Sequence, residues 1–257
     1  MTDTPIRAAV LQGDPPRHAR IQDTAIETVE SLTESAPLVM VSGTAMNTGK
    51  TFAAAALVGG LTERGLRVAA AKLTGAALQR DVRAMVAQGA VTSASFIEAG
   101  AVATTGRDMV PIAKGIIAHL NKANPDVLVL ELGDGVIGPY GVDQILEDME
   151  LQRLTATHVL AAADLAGVWA CDQLFRMRYR AEIGVVVGPA TDTDVGKRYV
   201  QTALGIPAVN ARSEPAALAA LVADDVTEAK AWAEAPGPMP TFNGPRRVLS
   251  GLGDAGQ

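Results

Sequence analysis

Apolar residues in this chain come in short unbroken runs, separated by longer segments with helical spacing. The runs at Leu38–Ser42, Arg67–Lys72, Asp126–Glu131, Thr157–Ala163 and Ile183–Gly188 read as strands covered on both faces. A shorter run at Ile206–Val209 reads the same way. Between them, helices are predicted over 50–64, 77–88, 111–122 and 168–179, with another near 215–222. Gly65 stands where a helix C-cap belongs. Buried strands alternating with helices imply right-handed crossovers. The expected fold class is α/β, a doubly wound and mostly parallel sheet with helices on both faces.

The two ends differ from this rhythm. Residues 1–36 read as an N-terminal adapter, with a short strand at Ile6–Leu11 and a helix from Ile21 to Leu32. The main domain is expected over 37–235, and the Pro- and Gly-rich tail 236–257 is expected to wrap the surface or be disordered. Hydrophobic residues make up 48% of the chain but aromatics only 4%, so the core must be built from Ala, Val, Leu and Ile. A net charge of −6 argues against nucleic acid or an anionic membrane surface as partner. Cys171 is the one cysteine, which rules out a disulfide within the chain. No apolar run approaches the ~18 residues of a membrane span, and the polar N-terminus points to a cytoplasmic protein. His18, His119 and His158 lack the spacing of a metal site.

The most informative segment is Gly43-Thr44-Ala45-Met46-Asn47-Thr48-Gly49-Lys50-Thr51. It follows a predicted strand and opens a predicted helix. That order lets backbone N–H groups and a helix N-terminus surround phosphate oxygens. This is a P-loop, and the expected fold is that of P-loop NTPases. Lys50 is placed to reach the β- and γ-phosphates and the Thr51 hydroxyl to ligate Mg²⁺. Gly43, Thr44, Asn47, Thr48 and Gly49 form the rest of the cradle. Five residues separate Gly43 from Gly49, one more than in the common pattern.

Further chemistry falls at strand ends. Glu131 closes an apolar strand and is a candidate to hold Mg²⁺ or its water, with Asp134 of the Gly133-Asp134-Gly135 turn beside it. The glycines of that turn offer backbone N–H groups to a substrate or phosphate. Lys72 ends the strand after the P-loop helix, and Asp81 opens the next helix. Both belong to the ligand edge of an open parallel sheet. A lysine there suits an anionic substrate or a phosphoryl group in transfer. The segment Gly188–Arg198 echoes a P-loop in composition, but Arg198 stands where a metal-binding hydroxyl belongs, so it reads as a loop near the nucleotide base or a partner subunit.

Together these segments resemble the dethiobiotin-synthetase-like branch of P-loop proteins, from about Leu38 to Val209. The family's Gly-Thr-Asp-Thr-x-Val-Gly-Lys-Thr loop has the same length as the one here. Its Lys-Pro-Val-x-Ser/Thr-Gly segment resembles Lys72-Leu73-Thr74-Gly75, with two residues missing, and its Glu-Gly-Ala-Gly-Gly turn resembles Glu131–Gly135. The resemblance implies that Thr51, Asp81 and Glu131 share Mg²⁺, that Lys50 and Lys72 flank the transferred phosphoryl group, and that the protein is a homodimer. Ala45 and Met46 replace the Asp-Thr pair near the synthetase's substrate, so the chain is not expected to be a dethiobiotin synthetase. Met46, Thr74, Gly133, Asp134 and Gly135 are the positions expected to meet the substrate. The stretch is also similar to a broad bacterial family with members in D-amino-acid metabolism, through Phe96-Ile97-Glu98-Ala99-Gly100.

The expected function is Mg²⁺-dependent phosphoryl transfer from ATP (or GTP) to a small-molecule carboxylate, carbamate or hydroxyl, as a kinase or as the activation step of a ligase. A nucleotide-dependent switch or maturation chaperone is the first alternative, weakened by the missing Asn-Lys-x-Asp signature after Ile183–Gly188. A group-transfer enzyme holding an acyl-CoA donor on the P-loop is the second.

Overall fold

The computed structural model describes residues 11–12, 17–18, 20–32 and 34–233. Two short antiparallel strands, β1 (Leu11–Gln12) and β2 (Arg17–His18), come first. The body follows as β3 (Leu38–Gly43), α1 (Lys50–Glu63), β4 (Val68–Thr74), α2 (Gln79–Ala87), β5 (Thr92–Ser95), α3 (Val110–Asn121) and β6 (Val127–Leu132). Then come α4 (Val142–Glu147), α5 (Met149–Leu154), β7 (Thr155–Ala161), α6 (Leu165–Leu174), β8 (Val185–Val187), α7 (Asp194–Ala203) and α8 (Pro215–Ala233). A single π-helical turn, Phe175–Tyr179, extends α6.

The six strands β3–β8 form one parallel sheet in the order β5-β4-β6-β3-β7-β8. The expected doubly wound α/β architecture is present. Alternation along each strand feeds two separate cores. Leu38 and Met40 of β3 join the cluster containing α3 and α6, while Val39 and Val41 join the one containing α1 and α8. Because both faces are covered, each strand must be apolar throughout, which is why these runs stand out in the sequence. The order also places the P-loop strand β3 directly beside β6 and so beside its carboxylate.

Several expectations need correction. The helix predicted over 21–32 is a single turn at Ile21–Thr24 followed by an extended strap. Ile26 N–H donates to the Glu98 carbonyl at 2.8 Å and Val29 N–H to Pro111 at 3.0 Å. Buried Lys114 holds the Glu30 carbonyl at 3.1 Å and pairs with Asp148 and Glu150. These partners satisfy the backbone across the gap, and Ile26 and Leu32 still reach the core. The run at Ile206–Val209 makes only a one-residue bridge, Val186 to Ala208. Edge strand β5 and the short helices α4 and α5 carry no long periodic pattern and were not anticipated. The predicted strand at Ile6–Leu11 lies outside the described residues except for Leu11, and the tail 236–257 lies outside them entirely. Among the described residues no helix is long and apolar enough to cross a membrane.

Candidate functional site

The loop between β3 and α1 turns on two glycines. A Cβ at Gly43 would stand 2.6 Å from Thr48 Oγ1 and 2.9 Å from Lys50 Cδ, so any side chain there would displace the loop's own residues. Gly49 caps α1 with φ +94°, a conformation that costs other residues more. α1 therefore opens on Lys50 with its free N–H groups directed at the loop. Thr44 is held from both sides: its N–H donates to Ala161 O at 3.0 Å, and its hydroxyl accepts from Ala163 N at 3.1 Å. Lys50 folds inward and donates to the Ala45 carbonyl at 2.7 Å, which the Thr48 hydroxyl also reaches at 3.1 Å.

β-Strand alternation decides what stands beside this cradle. Val127 and Val129 face α1, so Glu131 does too; Val68 and Ala70 face α1, so Lys72 does too. The register then sets Lys72 opposite Glu131 on adjacent strands. The Thr51 hydroxyl donates to Glu131 Oε1 at 2.8 Å. Lys72 makes an ion pair with Asp81 from the first turn of α2. Lys50, Lys72, Asp81 and Glu131 are exposed by only 6%, 4%, 4% and 2%. Burial pushes the Lys50 ammonium below the usual lysine range, opposed by the nearby Glu131 and Asp134 charges. Burial likewise raises Glu131, opposed by the Thr51 hydrogen bond and by Lys72.

Two loops close the far side. The Thr74 hydroxyl donates to Gly133 O at 3.0 Å, and Gly75 N–H donates to the Thr104 hydroxyl at 3.1 Å. Val136 N–H donates to Gly43 O at 2.9 Å, which lays Gly135 against the backbone of Thr44 and Ala45. Asp134, half-buried, adopts φ +65° in this turn. The sequence placed Thr74, Gly133, Asp134 and Gly135 here together, but it gave no sign of Thr104, which lies in an irregular loop. Met46 is 62% exposed at the loop tip. Asn47 has φ +59°.

On the other side, Gly188 lies against Thr48 O, where a Cβ would not fit. The segment beyond it is a short 3₁₀ turn leading into α7, capped by Thr193. Asn210 Nδ2 donates to Asp192 Oδ1 at 2.8 Å. The Arg212 guanidinium stands 5.6 Å from the ring centre of Phe52, the residue after Thr51. Gly188 and Phe52 thus border the cradle, and the spacing along the chain gives no sign of Phe52 or Arg212.

The donor set suits a hydrated divalent cation. Glu131 Oε2 is buried and, among the described residues, has no hydrogen-bond partner. No group of three or more His, Cys, Asp and Glu able to hold a metal occurs among the described residues. Mg²⁺ needs none, since it keeps several waters and binds through one or two carboxylates plus phosphate.

A strand, a glycine-bounded loop, an inward lysine and a strand-end carboxylate now stand in one place. This is a P-loop NTPase fold. No protein-family profile matches the chain, and no curated protein matches it either. Solved structures agree with the P-loop NTPase architecture. The signal recognition particle receptor FtsY from Elizabethkingia anophelis aligns over 80% of this chain and 70% of its own, with TM-score 0.50 and 14% identity. A DUF1611 family protein from Anabaena variabilis aligns over 81% of this chain and 63% of its own, with TM-score 0.55 and 14% identity. At that identity the likeness is one of fold.

Proposed function

We propose that this chain binds a nucleoside triphosphate, ATP or GTP, with Mg²⁺ and passes the terminal phosphoryl group to a small acceptor. The acceptor is a carboxylate, carbamate or hydroxyl, so the protein acts as a kinase or as the activation step of a ligase. The observation that carries this reading is the buried group of Lys50, Lys72, Asp81 and Glu131 around the P-loop. Two lysines and two carboxylates kept from water at one sheet edge are costly unless charge arrives to use them.

Thr51 and Glu131 would hold the cation, joined by Asp81 once Lys72 turns to the phosphates. When bound, Mg²⁺ supplies charge neutralisation at the phosphate oxygens. Lys50 would exchange the Ala45 carbonyl for phosphate oxygen, and Lys72 would stabilise charge on the transferred group. The acceptor would sit among Met46, Thr74 and the Gly133–Gly135 turn. The base would lie toward Phe52, Arg212 and the Asp192–Asn210 pair. A homodimer, as the synthetase resemblance implies, is part of this reading.

A second reading is a nucleotide-dependent switch or maturation chaperone with slow hydrolysis. It is supported by the fold likeness to a signal recognition particle receptor and by exposed Met46 and Ile137, which stand on the two loops that meet at Thr44.

Product analysis separates the readings. The protein is incubated with Mg²⁺ and ATP or GTP, with and without pooled carboxylate, amine and hydroxyl metabolites. A phosphorylated or phosphate-activated acceptor formed with equimolar nucleoside diphosphate (ADP or GDP) supports transfer. Slow release of nucleoside diphosphate and inorganic phosphate that no small molecule accelerates supports the switch. Release of no nucleoside diphosphate under any condition contradicts both and favours a group-transfer enzyme holding an acyl-CoA.

A further inference from the structure

The turn Gly133–Val136 is the keystone between the β4 loop and the P-loop, and it is pinned from below by a residue outside the cradle. The Tyr179 hydroxyl donates to the Val136 carbonyl at 3.3 Å, and the Val136 N–H donates on to Gly43 O at 2.9 Å. Tyr179 ends the π-helical turn and is 1% exposed. It is steadied by an aromatic stack that starts in the sheet. His158 of β7 meets Phe175 edge to face at 5.2 Å, and Phe175 meets Tyr179 edge to face at 5.3 Å. Each pair adds geometric preference to simple burial. Next to it, Arg178 bridges Asp143 and Glu147 of α4, the helix that follows the same turn. Burial pushes the Tyr179 phenol up to about 12, so it remains a donor across the working pH range. π-Helical turns inside α-helices occur frequently at functional sites.

The geometry points to Tyr179 as a positioning residue for the nucleotide site, acting through Val136 on Gly43 without touching the ligand itself. Its hydroxyl sets how closely the Gly133–Gly135 turn lies on Thr44 and Ala45. Loss of the hydroxyl alone frees one end of that two-bond chain while the aromatic stack stays filled. This inference rests on the nucleotide reading above for its functional consequence.

The test is Tyr179→Phe in the full chain, beside Ile117→Val, a substitution on α3 in the same core. ATP and GTP affinities with Mg²⁺ are measured together with peptide-level hydrogen exchange. Tyr179→Phe is expected to weaken nucleotide binding about two- to tenfold, the span of one net hydrogen bond. It also speeds exchange in peptides covering 133–136 and 43–48 but not in those covering β7. Ile117→Val lowers thermal stability and leaves affinity and both peptides unchanged. Unchanged affinity and exchange in Tyr179→Phe overturn the inference, as does equal weakening in Ile117→Val. If Tyr179→Phe does not fold, Phe175→Leu keeps the hydroxyl but loosens the stack that steadies it, and it is expected to speed exchange at 133–136; unchanged exchange there overturns the inference. A wild-type chain that binds no nucleotide sinks the functional reading, while the exchange comparison still reports on Tyr179.

Discussion

The Thr51 hydroxyl and the Glu131 carboxylate are joined at 2.8 Å, tying the first turn of α1 to the end of β6. The other Glu131 oxygen is buried and, among the described residues, has no hydrogen-bond partner. Glu131→Gln keeps the shape and still accepts from Thr51, but it removes the charge that a cation would meet. Metal-dependent nucleotide turnover is expected to fall by at least about 10–100-fold, the range seen when even the groups that support a metal's ligands are lost. The thermal midpoint without nucleotide is expected to stay the same or rise, because burial already opposes the charged form. Titrating Mg²⁺ against turnover in both proteins checks this.

Gly43 tests the cradle by steric means. Gly43→Ala places a methyl 2.6 Å from Thr48 Oγ1 and 2.9 Å from Lys50 Cδ. The expected outcome is loss of nucleotide binding with the far-ultraviolet circular dichroism of the fold preserved. Calorimetric titration of the variant against wild type measures it.

The Lys72–Asp81 pair has a structural cost that can be separated from its chemistry. Lys72→Ala leaves Asp81 buried, with a largely exposed Arg80 at 3.5 Å as its remaining ion pair among the described residues. Breaking one side of such a pair destabilises by about 3–5 kcal/mol. The double substitution Lys72→Met with Asp81→Leu is expected to recover most of that loss in a urea melt. Phosphoryl transfer stays lost in both, whereas a purely structural pair would let activity return with stability.

Much of this arrangement was legible in the sequence because it depends on local order. Gly43 to Thr51 carries its own strand, loop and helix start, and β6 announces Glu131 by its unbroken apolar run. The positions of Lys72 and Asp81 beside Glu131 were legible too, since both sit at element ends on the same edge of the sheet. What could not be read depends on partners far along the chain. The strap residues 25–32 and 34–36 are extended because Glu98, Pro111, Lys114 and Asn121 supply their hydrogen bonds. Helical spacing at Ile21, Ala25, Val29 and Leu32 could not show that. Strand β5 is short, polar and at the sheet edge, so its Thr92-Ser-Ala-Ser95 sequence has no hydrophobic signature. Thr104 and Tyr179 act through single hydrogen bonds across loops, which no spacing rule reports.

His158 gives a pH-dependent prediction away from the site. It is fully buried in β7, with Nε2 2.9 Å from Gln152 Oε1, and desolvation lowers its pKa to about 4 from 6.5. Between those values the unfolded chain binds a proton that the folded chain excludes, so stability falls as pH drops from 6.5 to 4. The loss is about 3 kcal/mol over that window. His158→Gln is expected to be less stable at neutral pH but to lose this slope. Urea midpoints at pH 7, 5.5 and 4.5 for both proteins measure it.

The central claim is that Gly43–Thr51 binds nucleotide through Lys50, and ligand-induced thermal shift tests it directly. ATP and GTP are added to the wild-type chain and to Lys50→Ala, each with and without Mg²⁺. At about 100 times the Kd, binding adds about 2.7 kcal/mol, or roughly 5–10 °C in a domain of this size. The expected result is a shift of that order for at least one nucleotide with wild type, larger with Mg²⁺ and abolished in Lys50→Ala. No shift with either nucleotide at millimolar concentration, or an equal shift in Lys50→Ala, contradicts the account.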